Sequence, residues 1–149
     1  MKRVLIALAI LFSQNINAQF VAKMEQKAPI KGLCHQNEVY ALLPMKGQEK
    51  AMPSQTAEQI QELLNTQVVF LKDSSSYVDK GMVNIIINCK GEVVQCEIDN
   101  KTKHPELDQQ IVAVFASLGK WKPGKLNGKE VDTSRLWSFE IKDGKFVVR

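Results

Sequence analysis

A chain of 149 residues with 20 Lys/Arg against 16 Asp/Glu carries a formal charge of +4, and 44% of its residues are hydrophobic. The length suits one small domain with a modest core and an N-terminal extension. No stripe of interleaved basic and aromatic residues accompanies the excess charge, so a nucleic-acid surface is excluded and the lysines read as solvated cover.

The chain opens with a targeting pattern over residues 1–18. Lys2-Arg3 is a basic n-region, Val4 to Phe12 is an unbroken apolar run, and Ser13 to Ala18 is a polar approach to a cleavage point. The apolar run is about half of the ~20 residues that a membrane-spanning helix needs. A signal peptide cut after Ala18 is the expectation, with an uncleaved signal anchor as the alternative. Cleavage removes Lys2 and Arg3 and leaves 18 basic against 16 acidic residues, a nearly neutral chain. Residues 19–53 lack periodicity and carry Pro29, Gly32, Pro44, Gly47 and Pro53, which predicts an extended arm with a short strand around Val39–Leu43.

From Ser54 the period becomes helical. Ala57, Ile60, Leu63 and Leu64 share a face, Thr56-x-x-Gln59 or Ser54 supplies the N-cap, and Asn65 is the expected stop. Residues 82–99 predict a hairpin closed at Lys90-Gly91, with Ile87 opposite Val94, Ile85 opposite Cys96 and Val83 opposite Ile98. Asn84 and Asn88 then point to the opposite face. His104-Pro105 starts a second helix, whose acidic first turn complements the helix dipole. Its stripe is Leu107, Ile111, Val114, Phe115 and Leu118, and Gly119 is the expected cap. Val131, Trp137, Phe139 and Ile141 alternate with Asp132, Ser138 and Glu140 in a third long strand. Asp143-Gly144 turns it into a tail strand that sets Ile141 opposite Phe146. The fold class that follows is α+β: a small antiparallel three-stranded sheet with two helices on one face, spanning residues 54–149.

Three cysteines leave at least one unpaired within a monomer. Across the predicted hairpin Cys89 and Cys96 stand about 13 Å apart along the strand, whereas a disulfide needs Cα atoms within roughly 7 Å. Any bridge must therefore use Cys34, with either partner open. No catalytic triad, phosphate loop or carboxylate pair occurs, so neither an enzyme nor a cofactor is expected. Cys34, His35, Cys89, Cys96 and His104 lack metal-ligand spacing, so no metal is expected either. Trp121 and Trp137 are expected to plug the seam between helices and sheet rather than to line a pocket.

Gly81, Gly91, Leu107-Asp108, Trp121-x-Pro123, Gly128, Val131 and Phe139 occur in an order and spacing that resembles the C-terminal domain of TonB, the periplasmic energy transducer. The resemblance covers residues 54–142 and is densest from Gly81 to Phe139. It implies that the last long strand lies at a sheet edge and pairs with an N-terminal peptide of an outer-membrane receptor. The contact backbone would run along Arg135, Leu136, Trp137, Ser138 and Phe139. Two features depart from the family: Asn100-Lys-Thr-Lys103 replaces its small polar loop, and the Pro-rich spacer is missing. The tail, residues 145–149, would cover part of the binding edge if it forms a strand. The expected function is a periplasmic or exported module that binds receptors by strand addition in energy-coupled transport. The alternative is an exported interaction domain that dimerises through its edge strand. Contact with the membrane requires that the signal segment be retained.

Overall fold

The computed structural model describes residues 20–26 and 28–148, so the signal segment lies outside the described residues. Strands β1 (Ala22–Met24), β2 (Val39–Ala41), β3 (Gln48–Glu49) and β4 (Met52–Pro53) precede helix α1 (Ala57–Gln67) and a short 3₁₀ turn, Val69–Leu71. The hairpin β5 (Asp79–Ile87) and β6 (Val93–Asn100) leads to helix α2 (Pro105–Ala116). Three short strands follow, β7 (Trp121–Lys122), β8 (Gly124–Leu126) and β9 (Lys129–Val131), then β10 (Thr133–Lys142) and β11 (Lys145–Val148).

The expected three-stranded sheet is wrong. The described residues hold 2 helices and 11 strands in three sheets, the largest with 6 strands. That sheet runs β1-β2-β10-β5-β6, with β11 also paired to β10. Much of the difference lies in the segment read as an extended arm. Its β1 and β2 pair with each other and β2 joins β10 in parallel, while β3 pairs with β8 and β4 with β7. Strands of two or three residues show no period, so alternation in the sequence does not reveal them. Long-range bonds hold them instead.

The hairpin illustrates a finer correction. Asn88 N–H donates to Glu92 O and Gly91 N–H to Asn88 O, which makes a three-residue loop with Gly91 at φ +80°. Ile85 faces Cys96 and Val83 faces Ile98, but the longer loop and a bulge set Ile87 opposite Val93 rather than Val94. Helix α1 also runs two residues past its expected stop. Asn65 does not end it, because its side chain is taken up by the main chain of Phe146 in β11, with N–H to Oδ1 at 2.8 Å. Thr56 caps the helix in a full capping box with Gln59.

Both helices lie on one face of the large sheet. Ile60 and Leu64 of α1 and Leu107, Ile111 and Phe115 of α2 pack with Val83, Ile85, Ile87, Phe139 and Ile141 into one core. On the opposite face the arm builds a second, smaller cluster from Ile30, Val39 and Ile86. Asn84 and Asn88, on that face, are buried. Each finds partners there: Ser134 Oγ donates to Asn84 Oδ1 at 2.7 Å, and Asn88 Nδ2 donates to Gly32 O and to Glu92 Oε2.

Candidate functional site

Strand β10 does not lie at the sheet edge, as the resemblance implies, but inside the sheet between β2 and β5, with one fully occupied side and one interrupted side. The first pairs with β5 from Thr133 opposite Ile87 to Ile141 opposite Asp79. On the second, β2 covers Thr133 and Ser134, and β11 covers Phe139 to Lys142. Between them, Arg135, Leu136, Trp137 and Ser138 meet no strand among the described residues.

Register decides which main-chain groups look into this gap. Asp143 and Gly144, at φ +50° and +69°, form a two-residue turn, so Lys142 and Lys145 are a hydrogen-bonded pair. Even-numbered residues of β10 therefore direct their N–H and C=O to this edge. The bond from Tyr40 N–H to Asp132 O at 2.9 Å has the same parity at the other end. Leu136 and Ser138 are thus the residues whose backbone faces the gap, and both side chains are exposed on the face away from the helices.

The odd residues set the chemistry on the helix side. Trp137 is buried, Arg135 is half-buried, and the guanidinium carbon lies 5.7 Å from the Trp137 ring centroid. Burial pulls the Arg135 pKa below its ordinary value. Thr133 Oγ1, Arg135 Nε and Trp137 Nε1 are buried and have no hydrogen-bond partner among the described residues. A cavity of about 420 Å³ adjoins the gap, lined in part by Leu42, Leu43, Lys50, Thr133, Arg135 and Leu136.

The other residues singled out from the sequence hold the fold. Gly81 faces Phe139 across the ladder, and a Cβ there would stand 2.5 Å from the Phe139 ring. Gly91 O accepts from Trp121 N–H at 2.8 Å, and a Cβ on Gly91 would strike Trp121 O and approach Pro123. Gly128, at φ +80°, shares the β8–β9 turn with Asn127. Leu107 is fully buried, and Asp108 Oδ1 accepts from the N–H and hydroxyl of Thr102, which fixes the loop before α2. Trp121 and Trp137 both belong to the core beneath the helices.

Cys34 is bonded to Cys89, with Cα atoms 5.9 Å apart, and Cys96 is a free thiol. Asp132, read as an outward residue in the alternation of the last strand, is fully buried beside this bridge. Its Oδ2 accepts from His35 N–H at 2.7 Å and its Oδ1 from Cys89 N–H at 2.8 Å. One carboxylate thus clamps both sides of the disulfide, which no local pattern announces because its partners are 97 and 43 residues away. The two sulfurs and an Asp132 oxygen lie within 4.8 Å of one another. Sulfurs joined to each other carry no thiolate charge, so the oxidised cluster is a poor donor set for a metal.

Strands β1 and β6 are the two outer strands of the sheet, and α2 lies beside β6. Among the described residues no helix is long and apolar enough to cross a membrane. Comparison with protein-family models, with curated proteins and with solved structures gave no match.

Proposed function

We propose that this chain is a protein-binding module that takes up an extended segment of a partner by strand addition to β10, in the manner of the TonB C-terminal domain. The observation that carries this reading is the gap between β2 and β11, where the backbones of Leu136 and Ser138 meet no ladder partner on that side among the described residues. A strand edge with free N–H and C=O groups is a template for another chain. The partner suggested by the resemblance is the N-terminal segment of an outer-membrane receptor, met in the periplasm. The role is binding, without catalysis. Loss of residues 1–18 would make the protein an adaptor, and their retention a transducer. The intact mass of the exported protein separates the two.

The test uses the parity of the strand. Ser138→Pro removes a donor that faces the gap and is not used by β5, so the domain keeps its own ladder. A labelled receptor N-terminal peptide should bind Ser138→Pro much more weakly than Ser138→Ala. Equal affinities reject strand addition at β10.

A second reading is self-association through β6, whose outer edge no other strand of the described residues covers. Sedimentation of the purified protein over a concentration series tests it, and a monomer at every concentration rejects it.

A further inference from the structure

Main-chain bonds alone make a weak site in a gap this short. Two residues offer four hydrogen bonds, each a small net gain once water is displaced, against the translational and rotational freedom lost on association. A bound segment needs a side-chain anchor, and one is prepared. Arg135 lies half-buried in the gap, and no described carboxylate is within ion-pair distance of it. Buried cations are ordinarily paired, because desolvation without a counter-charge is unfavourable. Beside Arg135 on the same face of β10, Thr133 Oγ1 and Trp137 Nε1 are further buried donors without acceptors. The adjoining cavity brings Lys50 to the same place. Asp99 lines the same cavity but is not within ion-pair distance of Arg135, so the half-buried cation still calls for an acceptor of negative charge.

Resting on the strand-addition reading, we propose that the segment bound at β10 carries an Asp or Glu whose carboxylate pairs with Arg135, so that Arg135 sets which peptides bind. Arg135 is on the helix side of the sheet, and neighbouring residues of an incoming strand point to opposite faces. Only every second position of the segment brings its carboxylate to Arg135. The requirement is therefore a register requirement as well as a charge requirement.

The experiment uses a fluorescein-labelled hexapeptide of alternating threonine and valine. Glu is placed at each position in turn, with a Gln counterpart for each. Anisotropy titrations are run against the native protein, Arg135→Gln and Arg135→Lys, with thermal melts to confirm folding. The expected result is a preference for Glu over Gln of about tenfold or more, the size of a partly desolvated charge pair, at alternating positions. The preference should shrink with added salt, fall in Arg135→Lys and vanish in Arg135→Gln. Peptides that bind the native protein equally well with Glu or Gln overturn the proposal and leave strand addition standing. A Glu preference that persists in Arg135→Gln also overturns it and shifts the role to Lys50. No binding by any peptide rejects strand addition, and the Arg135 assignment with it.

Discussion

Phe139 and Gly81 face each other across β10 and β5, and the missing side chain of one makes room for the ring of the other. Phe139 is 2% exposed and its ring centroid lies 5.7 Å from that of Phe146. Phe139→Ala should lower stability by ~3–5 kcal/mol in thermal melts, the usual result of emptying a buried aromatic site. Gly81→Ala should also destabilise, since its Cβ would stand 2.7 Å from the carbonyl oxygen of Asn100, which cannot swing aside as a side chain can. Cys96 makes a different residue-scale prediction. Burial, with a smaller contribution from Glu97, pushes its thiol up to about 11. At pH 8 a free cysteine is roughly one-quarter thiolate, whereas this one is about one-thousandth. Alkylation of the folded protein by iodoacetamide should be slow at pH 8 and keep accelerating toward pH 11, and rapid labelling at pH 8 would show that Cys96 is accessible. The inward placing of Phe139 was legible because apolar residues alternate over a long strand. The burial of Asp132 was not, because an acidic residue at an outward position of that alternation gives no sign of the disulfide it will clamp.

The long elements announce themselves and the short ones do not. The β5–β6 hairpin and α2 each carry several turns of consistent period, and the β10–β11 turn is written in Asp143-Gly144. The arm is another matter. Its β1 and β2 have three residues each, and their place on the sheet follows from the Cys34–Cys89 bridge, the Asp132 clamp and the Tyr40 to Asp132 bond. Gly81, Gly91, Leu107, Trp121 and Gly128 define turns and packing, while the gap in β10 depends on where β2 and β11 stop. The bridge closes a loop across a sequence separation of 55, which on chain-entropy grounds contributes about 4 kcal/mol. Cys34→Ser should therefore lower stability by about that amount. Hydrogen exchange should rise in β1 and β2 while β5 and β10 stay protected, since the larger core belongs to the helices and the central strands. Uniform loss of protection would mean that the arm is part of the main cooperative unit rather than an attached one.

At the scale of the whole molecule, the two strands that bound the gap are held by different means. Strand β2 belongs to the arm, whose small cluster of Ile30, Val39 and Ile86 covers the face opposite the helices, and the disulfide at Cys34 ties the arm down just before it. Strand β11 belongs to the main core: Phe146 is 1% exposed, and its main chain is bonded to Asn65 of α1. The tail is therefore no removable cover. Deleting residues 145–149 takes Phe146 out of the core and leaves Asn65 without its partner, so it should cost ~3–5 kcal/mol or more and lower peptide binding through loss of fold. Reduction of the disulfide frees the other boundary instead. With β2 released, Thr133 and Ser134 join the open edge, and a longer segment can pair. Peptide affinity should then rise with peptide length beyond the point where it levels off for the oxidised protein. Anisotropy titrations of peptides of increasing length, against the oxidised protein and Cys34→Ser, measure this directly. A plateau at the same length in both would show that β2 keeps its place on β10 without the bridge.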